Sequence, residues 1–246
     1  MSKNYKTSMV AFFIIALYFI CNARTVYSAE LTEKQLWAIA LTGIITEINS
    51  GSHTTLRMSL GDSDFHKRKI LELLNRDWDI SDRNDLLGTL KLMEENGHAP
   101  EFDLIKKIIR ENDNNLDKIK EKHKLNSIEY KRLLFISQHW ESLKFVSIKS
   151  WDLGRNISLC RWGYEVGFLS ETEAWNRMMN YAKMIQPLYR SWEEYGYTYT
   201  IGRMYWASGD SSRSATVNER TGAVFSSLIK GEVGQWHNLK WNINLK

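Results

Sequence analysis

The sequence predicts an all-α protein, a single compact domain of roughly eight or nine helices that follows an N-terminal signal peptide. Three observations support this fold class. Only two prolines occur in 246 residues, helix-capping residues recur along the chain, and apolar residues repeat three and four positions apart. That spacing places them on one face of a helix.

The signal peptide is predicted over residues 1–29, which have the three parts of a secretory leader. A cationic start at Lys3 precedes the apolar run 9–20, and small residues follow it. We expect cleavage near Ser28 or near Ala23, and a periplasmic or secreted protein. The run is shorter than the ~20 residues that cross a bilayer, so we expect no membrane span after cleavage. An uncleaved inner-membrane anchor is the alternative.

Removing the signal peptide changes the charge balance of the chain. The full sequence has 33 Lys and Arg residues, 29 Asp and Glu residues and a net charge of +4. The signal contains three basic residues and no acidic one, so domain 30–246 keeps 30 basic residues against 29 acidic ones. A nearly neutral domain gives no reason to expect a nucleic acid partner.

Cysteine and histidine positions give no indication of a metal site or a cofactor. Cys160 has no second cysteine in the domain, and the histidines never fall at close ligand spacing. We therefore predict no metal and no cofactor. Cys160 shares a helical stripe with Leu153 and Ile157, which predicts a buried thiol rather than a nucleophile.

Caps and apolar faces predict three helices in the first part of the domain. The first runs over 31–48 with Thr32 as its N-cap in a capping box, and the second runs over 64–76. Ser81 is predicted to cap a third helix that ends at Gly97.

The middle of the chain contains two further predicted helices and one segment of different composition. A helix opens at Pro100, and a long one runs over 128–146. Between them, residues 110–126 are mainly charged residues and Asn. This composition indicates a solvated helix end or an internal linker.

The C-terminal part has the clearest helix boundaries. The motifs Ser170–Glu173 and Ser191–Glu194 both read as capping boxes. They predict helices over three ranges: 151–166, 171–190 and 192–207. Short connections make successive helices antiparallel or sharply crossed. A last helical segment is expected around 223–229, and the final tryptophans are expected to fold back onto the body.

The helix predicted to start at Trp151 has an unusual second face. Arg155 lies between the indoles of Trp151 and Trp162 on this face, and Asp152 lies three residues before Arg155. One interpretation is a satisfied internal Arg155–Asp152 pair stacked on tryptophan, which is the commoner arrangement. The other is that Arg155 binds an anionic ligand in an aromatic-walled pocket.

The helix predicted over 192–207 has a similar aromatic and basic character. Gly196 and Gly202 inside it indicate close approach of a neighbouring helix, since glycine costs about 1 kcal/mol in a helix interior. The carboxylates that a catalytic site would use as acid or base are Glu193 and Asp152. The candidate ligand-binding residues are aromatic or basic: Trp151, Arg155, Trp162, Tyr199 and Arg203.

Long motifs in these two helices resemble a known bacterial family. The segments are WDLGR (151–155), RWGYEVGFLSETEAW (161–175) and SWEEYGYTYTIGRMYW (191–206). They are similar to the bacterial domain of unknown function 1266. The upstream segments WAIALTGIITEIN (37–49) and RDWDISDRNDLLGTLKLMEENGH (76–98) fit the same pattern.

The resemblance assigns no catalytic residue, and the shared motif residues fit a helical core at least as well as an active site. The sequence departs from the pattern at two positions. Asp79 lies where the family pattern has glycine, and Asp77 lies where it has tryptophan. We therefore expect a thinner aromatic cluster at this point of the chain.

Three functional hypotheses follow from the sequence. The first is a non-enzymatic protein of the cell envelope that binds a protein partner or a small anionic ligand. The alternative is an envelope hydrolase-like enzyme, with Glu193 or Asp152 as acid/base and Arg155 or Arg203 holding negative charge. The third is a component of a toxin–immunity system, which the sequence neither favours nor excludes. A carboxylate with a raised pKa beside the two arginines would favour the enzyme.

Overall fold

The computed structural model describes residues 30–61 and 63–246. The predicted signal peptide, residues 1–29, lies outside the described residues. Every regular element within them is a helix, which confirms the all-α prediction. None of these helices is both long and apolar enough to cross a membrane.

Helices in the first part of the domain are short or of medium length. They are α1 (Glu33–Ala40), α2 (Gly43–Ile48), α3 (Asp64–Trp78), α4 (Arg83–Asn96), α5 (His98–Glu111), α6 (Leu116–His123), α7 (Ser127–Gln138) and α8 (Trp140–Leu143). The segment 110–126, in which composition indicated a helix end or linker, contains α6, whose Ile119 is buried.

Within the described residues, the C-terminal part contains four helices and one short 3₁₀ turn, and three of these helices are longer than any in the first part. They are α9 (Lys149–Val166), α10 (Glu171–Ile185), a 3₁₀ turn (Gln186–Leu188), α11 (Trp192–Ser208) and α12 (Ser211–Lys230). The predicted end of α9 and the predicted starts of α10 and α11 are confirmed, but α10 ends at Ile185 and not at residue 190. Helix α12 is much longer than the segment 223–229 that the sequence indicated. Trp236 and Trp241 beyond it are buried, which confirms that the tail folds back.

Helix α9 is the central helix of the domain. It packs against α3, α4, α5, α10 and α11, and fifteen of its eighteen residues are buried. Both the face that contains Ile157 and Cys160 and the face that contains Trp151 and Arg155 are therefore buried. This position brings the polar face of α9 against several helices that are distant in sequence.

The predicted single helix over 31–48 is interrupted. Thr32 caps α1 in a capping box as expected, but the helix stops at Ala40 and restarts at Gly43. The Ala40 carbonyl accepts a hydrogen bond from the Trp236 indole at 2.7 Å, and the Leu41 carbonyl accepts one from the Tyr195 hydroxyl at 2.6 Å. The break occurs because side chains distant in sequence take carbonyls that a continuous helix would use internally.

One predicted N-cap and one predicted capping box need correction. The N-cap of α4 is Asp82, whose carboxylate accepts from the Asp85 N–H, and not Ser81. The Ser81 hydroxyl and N–H donate to the Asp85 carboxylate instead. The Ser170–Glu173 capping box is confirmed.

The second predicted box, Ser191–Glu194, is only half formed. The Ser191 hydroxyl accepts from the Glu194 N–H at 3.1 Å, as predicted. The Glu194 carboxylate, however, accepts from the Arg190 N–H and pairs with the Arg190 side chain. The glutamate therefore reaches one residue further back than the motif implies.

Candidate ligand-binding site

A cavity with a volume of about 570 Å³ opens beside the aromatic and charged face of α9. Side chains from α2, α3, α9 and α11, together with the adjoining Asn49, form its wall. They are aromatic, aliphatic or basic for the most part: Ile45, Ile48, Asn49, Leu73, Arg76, Asp77, Trp78, Trp151, Arg155, Ser158, Trp162, Arg203 and Trp206. Size and composition are typical of a small-molecule site.

Trp151 is the centre of the aromatic wall. Its ring meets Tyr199 edge-on with centroids 5.2 Å apart and lies 6.2 Å from the ring of Trp206. The indole N–H groups of Trp151 and Trp162 are buried, and neither has a hydrogen-bond acceptor among the described residues. A Cβ on Gly202 of α11 would overlap Trp151, so this glycine allows α11 to approach α9 as predicted.

Arg155 is buried against this wall, with 7% of its surface exposed. Its guanidinium lies 4.2 Å from the ring centroid of Trp151 and 5.6 Å from that of Trp78. Nη2 donates to Asp152 Oδ1 at 2.7 Å and to Nδ1 of His98 at 3.0 Å, and Nε donates to the Trp151 carbonyl. Nη1 has no partner among the described residues.

Asp152 has a second task besides its ion pair. Its two carboxylate oxygens accept the N–H groups of His98 at 2.9 Å and Ala99 at 2.8 Å, so Asp152 of α9 caps the N-terminus of α5. A Cβ on Gly97 would overlap this carboxylate, so only glycine fits there.

The pKa of Asp152 is set by opposing effects. Burial alone would raise the pKa, but interactions with His98, with Arg155 and with the Ala99 N–H outweigh burial and lower it. The carboxylate is therefore ionised and committed to its partners. Burial in turn lowers the pKa of Arg155, and the Asp152 charge partly offsets this.

Arg203 faces the cavity from α11 with a different set of partners. Its Nε donates to the Thr221 hydroxyl at 3.1 Å, and its guanidinium lies 5.9 Å from the ring centroid of Trp151. No carboxylate pairs with Arg203 among the described residues. Burial lowers the pKa of Arg203, Tyr199 raises it and the Arg220 charge lowers it further.

Two other candidates from the sequence lie away from the cavity wall. Tyr199 is buried behind Trp151, its hydroxyl has no partner among the described residues, and burial raises its pKa to about 12. Glu193 is exposed at the start of α11, in a separate shallow depression beside Arg190 and Tyr197. The structure thus brings together Trp151, Arg155, Trp162 and Arg203, but not Glu193.

Sequence reasoning missed the part of the wall that α2 and α3 supply. The pair Arg76–Asp77 and the neighbouring Trp78 lie at the C-terminus of α3, and none of the three was among the candidates from the sequence. Asp79 ends this helix in the left-handed conformation, with φ of 53°. The resemblance led us to expect glycine at this position, and this was the only sequence signal that the chain turns sharply here.

Further along α9, Arg161 and Glu165 form what we call the loop clamp. Arg161 is fully buried and donates to the hydroxyls of Thr42 and Thr46 and to carbonyls of loop 50–60. The Glu165 carboxylate accepts two N–H groups of the same loop. Side chains four residues apart in a helix can pair with each other, but Arg161 and Glu165 each bind the loop instead.

The described residues give no support for a metal site or for a thiol nucleophile. They contain no group of three or more His, Cys, Asp or Glu side chains that could hold a metal ion. Cys160 is buried, and burial raises the pKa of its thiol to about 12. A thiol with this pKa is a weak nucleophile at neutral pH.

Comparison with known proteins gives a family and two relatives. The family model "Protein of unknown function (DUF1266)" matches residues 73–241. The chain is 30% identical over 171 residues to "Uncharacterized protein YbeR" of Escherichia coli (strain K12), which covers 68% of each chain. It is 26% identical over 203 residues to "Uncharacterized protein YbeU" of the same organism, which covers 76% of this chain and 77% of that protein. No solved structure gives a significant match. The chain belongs to the DUF1266 family.

Proposed function

We propose that the protein is a non-enzymatic binding protein of the cell envelope whose cavity holds a small organic anion. The observation that carries the proposal is the unused hydrogen-bonding capacity of Arg155 and Arg203. Nη1 of Arg155 and both Nη atoms of Arg203 face no partner among the described residues. In a cavity with aromatic walls such donors favour an anionic ligand.

Binding is favoured over hydrolysis because Asp152 is unsuited to proton transfer. A general acid at neutral pH needs a raised pKa, whereas the pKa of Asp152 is lowered. Both oxygens of Asp152 are also occupied by backbone N–H groups. Glu193, the other candidate, lines a separate depression.

Calorimetric titration with naphthalene-2-sulfonate tests this function, because the probe combines a flat apolar body with an anionic group. We expect saturable binding at one site. Ile48→Trp should fill the cavity from its wall and abolish binding. Leu104→Trp is the matched control, since Leu104 is 56% exposed on α5 and does not line the cavity. Absence of binding to the unaltered protein, or equal binding by both variants, would overturn the proposal.

We also propose that residues 1–29 export the protein to the periplasm or the medium. The support is the leader-like sequence, together with a domain in which no described helix is suited to span a membrane. Mass spectrometry of the N-terminus in cell fractions is the test. Export with cleavage predicts a chain that starts at Arg24 or Ala29. An intact leader in the membrane fraction would favour the inner-membrane anchor instead.

A further inference from the structure

We infer that the ligand is an aromatic monoanion, a carboxylate or sulfonate, whose charge is bound by Arg203 and whose flat body lies against the tryptophans of the cavity. This inference rests on the proposed function and specifies its ligand. It comes from comparing the partners of the three arginines in the cavity wall.

Two of the three arginines already form an ion pair with a carboxylate. Arg76 forms a two-point pair with Asp77, with distances of 2.6 Å from Nε to Oδ1 and from Nη2 to Oδ2. Arg155 lies 2.7 Å from Asp152. Each pair is close to neutral, so neither calls for a further negative charge from a ligand.

Arg203 is the exception. Its only hydrogen bond within the described residues goes to a neutral hydroxyl, that of Thr221. It is half-buried, so water compensates its charge less well than at the surface. The neighbouring Arg220 is exposed and donates to the Ile48 carbonyl, so solvent screens its charge. The cavity wall therefore has a net charge of one positive unit, which one negative charge balances.

The position of Arg203 also indicates where the anion lies. Both Arg203 and Arg155 stack near Trp151, at 5.9 Å and 4.2 Å from its ring centroid. An anion at Arg203 can thus also accept from the free Nη1 of Arg155. The rest of the ligand meets the rings of Trp162 and Trp206, which favour a flat aromatic body.

Apart from Arg203, the described residues of the cavity wall offer no unpaired cation to a second negative charge on the ligand. Desolvating that charge without a partner costs free energy. A dianion such as a phosphate monoester is therefore expected to bind more weakly than a monoanion of the same shape. A neutral molecule of the same shape loses the interaction with Arg203.

Three naphthalene probes separate these cases by calorimetry at pH 7.5. They are naphthalene-2-sulfonate, 2-naphthyl phosphate, which is mainly dianionic at this pH, and 2-naphthalenemethanol. We expect the sulfonate to bind roughly 10- to 100-fold more tightly than the alcohol and more tightly than the phosphate. A phosphate that binds best would overturn the monoanion, and an alcohol that binds equally would overturn the anion site. Failure of all three probes would instead overturn the proposed function.

Arginine variants test whether Arg203 is the residue that binds the negative charge of the ligand. Arg203→Gln should remove the preference for sulfonate over alcohol, and Arg203→Lys should restore part of it. Arg110→Gln is the control, since Arg110 is exposed on α5 away from the cavity. Thermal melting checks that each variant is folded. A folded Arg203→Gln protein that keeps the full preference would overturn the role of Arg203.

Discussion

Arg155 and Arg161 lie six residues apart in helix α9 and are both buried, yet the protein uses them in opposite ways. Arg161 is fully buried, and its five N–H groups face two threonine hydroxyls and four backbone carbonyls. Among the described residues, Nη1 of Arg155 has no partner beside the cavity, and neither do the two Nη atoms of Arg203 in the same cavity wall. Burial alone therefore does not distinguish a structural arginine from a binding one.

The difference lies in what surrounds each guanidinium. The loop clamp surrounds Arg161 with protein acceptors and leaves no space for another molecule. Burial lowers the pKa of Arg161 to about 9, so the side chain remains charged at neutral pH. At the cavity, aromatic rings replace acceptors on one side of each arginine. An arginine with aromatic neighbours and unused donors is the arrangement from which we infer binding.

Breaking the loop clamp should lower the stability of the protein more than any other change proposed below. Arg161→Met leaves several buried acceptors without a donor, so we expect the free energy of unfolding to fall by about 3–5 kcal/mol. Arg155→Met should cost about 1–2 kcal/mol, because Asp152 keeps two backbone N–H donors. Urea unfolding of both variants measures the difference. Equal losses would contradict the distinction between the two arginines.

A second prediction concerns alkaline pH and Tyr199, which lies behind the cavity wall. Its pKa rises from 10.0 to about 12 on folding, so the neutral hydroxyl is favoured in the folded state. Its contribution to stability is complete below pH 10 and is lost as pH rises through about 12. The loss amounts to about 1.4 kcal/mol per pH unit in this window.

Tyr199→Phe removes this contribution without removing a hydrogen bond. We therefore expect the variant to lose stability less steeply between pH 10 and pH 12 than the unaltered protein. Urea unfolding at several pH values gives both slopes. Parallel slopes would show that Tyr199 does not titrate differently in the two states.

A third prediction tests how closely α9 and α11 pack at the cavity. Gly202→Ala places a methyl group into Trp151, so we expect a loss of about 1–3 kcal/mol and weaker binding of naphthalene-2-sulfonate. Gly88→Ala in α4 is the control, because a Cβ there meets nothing within 4 Å. It should add up to about 1 kcal/mol of stability. Thermal unfolding measures both effects. A melting temperature that changes in the same direction for both variants would contradict this packing.

A small change in stability is expected from substitutions of Asp79, which ends α3 beside the cavity. Asp79 has φ of 53° and ψ of 33°, a conformation that glycine adopts with less strain. Asp79→Gly should therefore raise the free energy of unfolding by about 0.5–1 kcal/mol. Asp79→Ala should lower it, since alanine adopts the left-handed conformation less readily than Asp. Chemical denaturation gives the free energy of unfolding of both variants. A change in the same direction for both would contradict a strained backbone at Asp79.

Much of the fold was predictable because its signals are local. The caps at Thr32 and Ser170 act within three residues, so the sequence contains the whole interaction. The break after Ala40 was not predictable, since it depends on Trp236 and Tyr195 more than 150 residues later. Local pattern predicts where helices start better than where tertiary contacts interrupt them.

The candidate site was predictable in part for the same reason. Helical spacing put Trp151, Arg155 and Trp162 on one face of a single helix. The capping role of Asp152 depends on Gly97, which only the folded chain brings beside it. Tyr199 shares a helix side with Arg203 but lies behind Trp151, since the packing angle of α11 decides which of its residues reach the cavity.

Binding of an organic anion by the cavity can be observed at the arginines themselves. Side-chain ¹⁵N NMR of the guanidinium groups tests it most directly, with naphthalene-2-sulfonate as the probe and arginine variants for assignment. We predict saturable shifts of the Arg203 and Arg155 signals and an unchanged Arg161 signal. Unchanged Arg203 and Arg155 signals at saturating probe would contradict this binding.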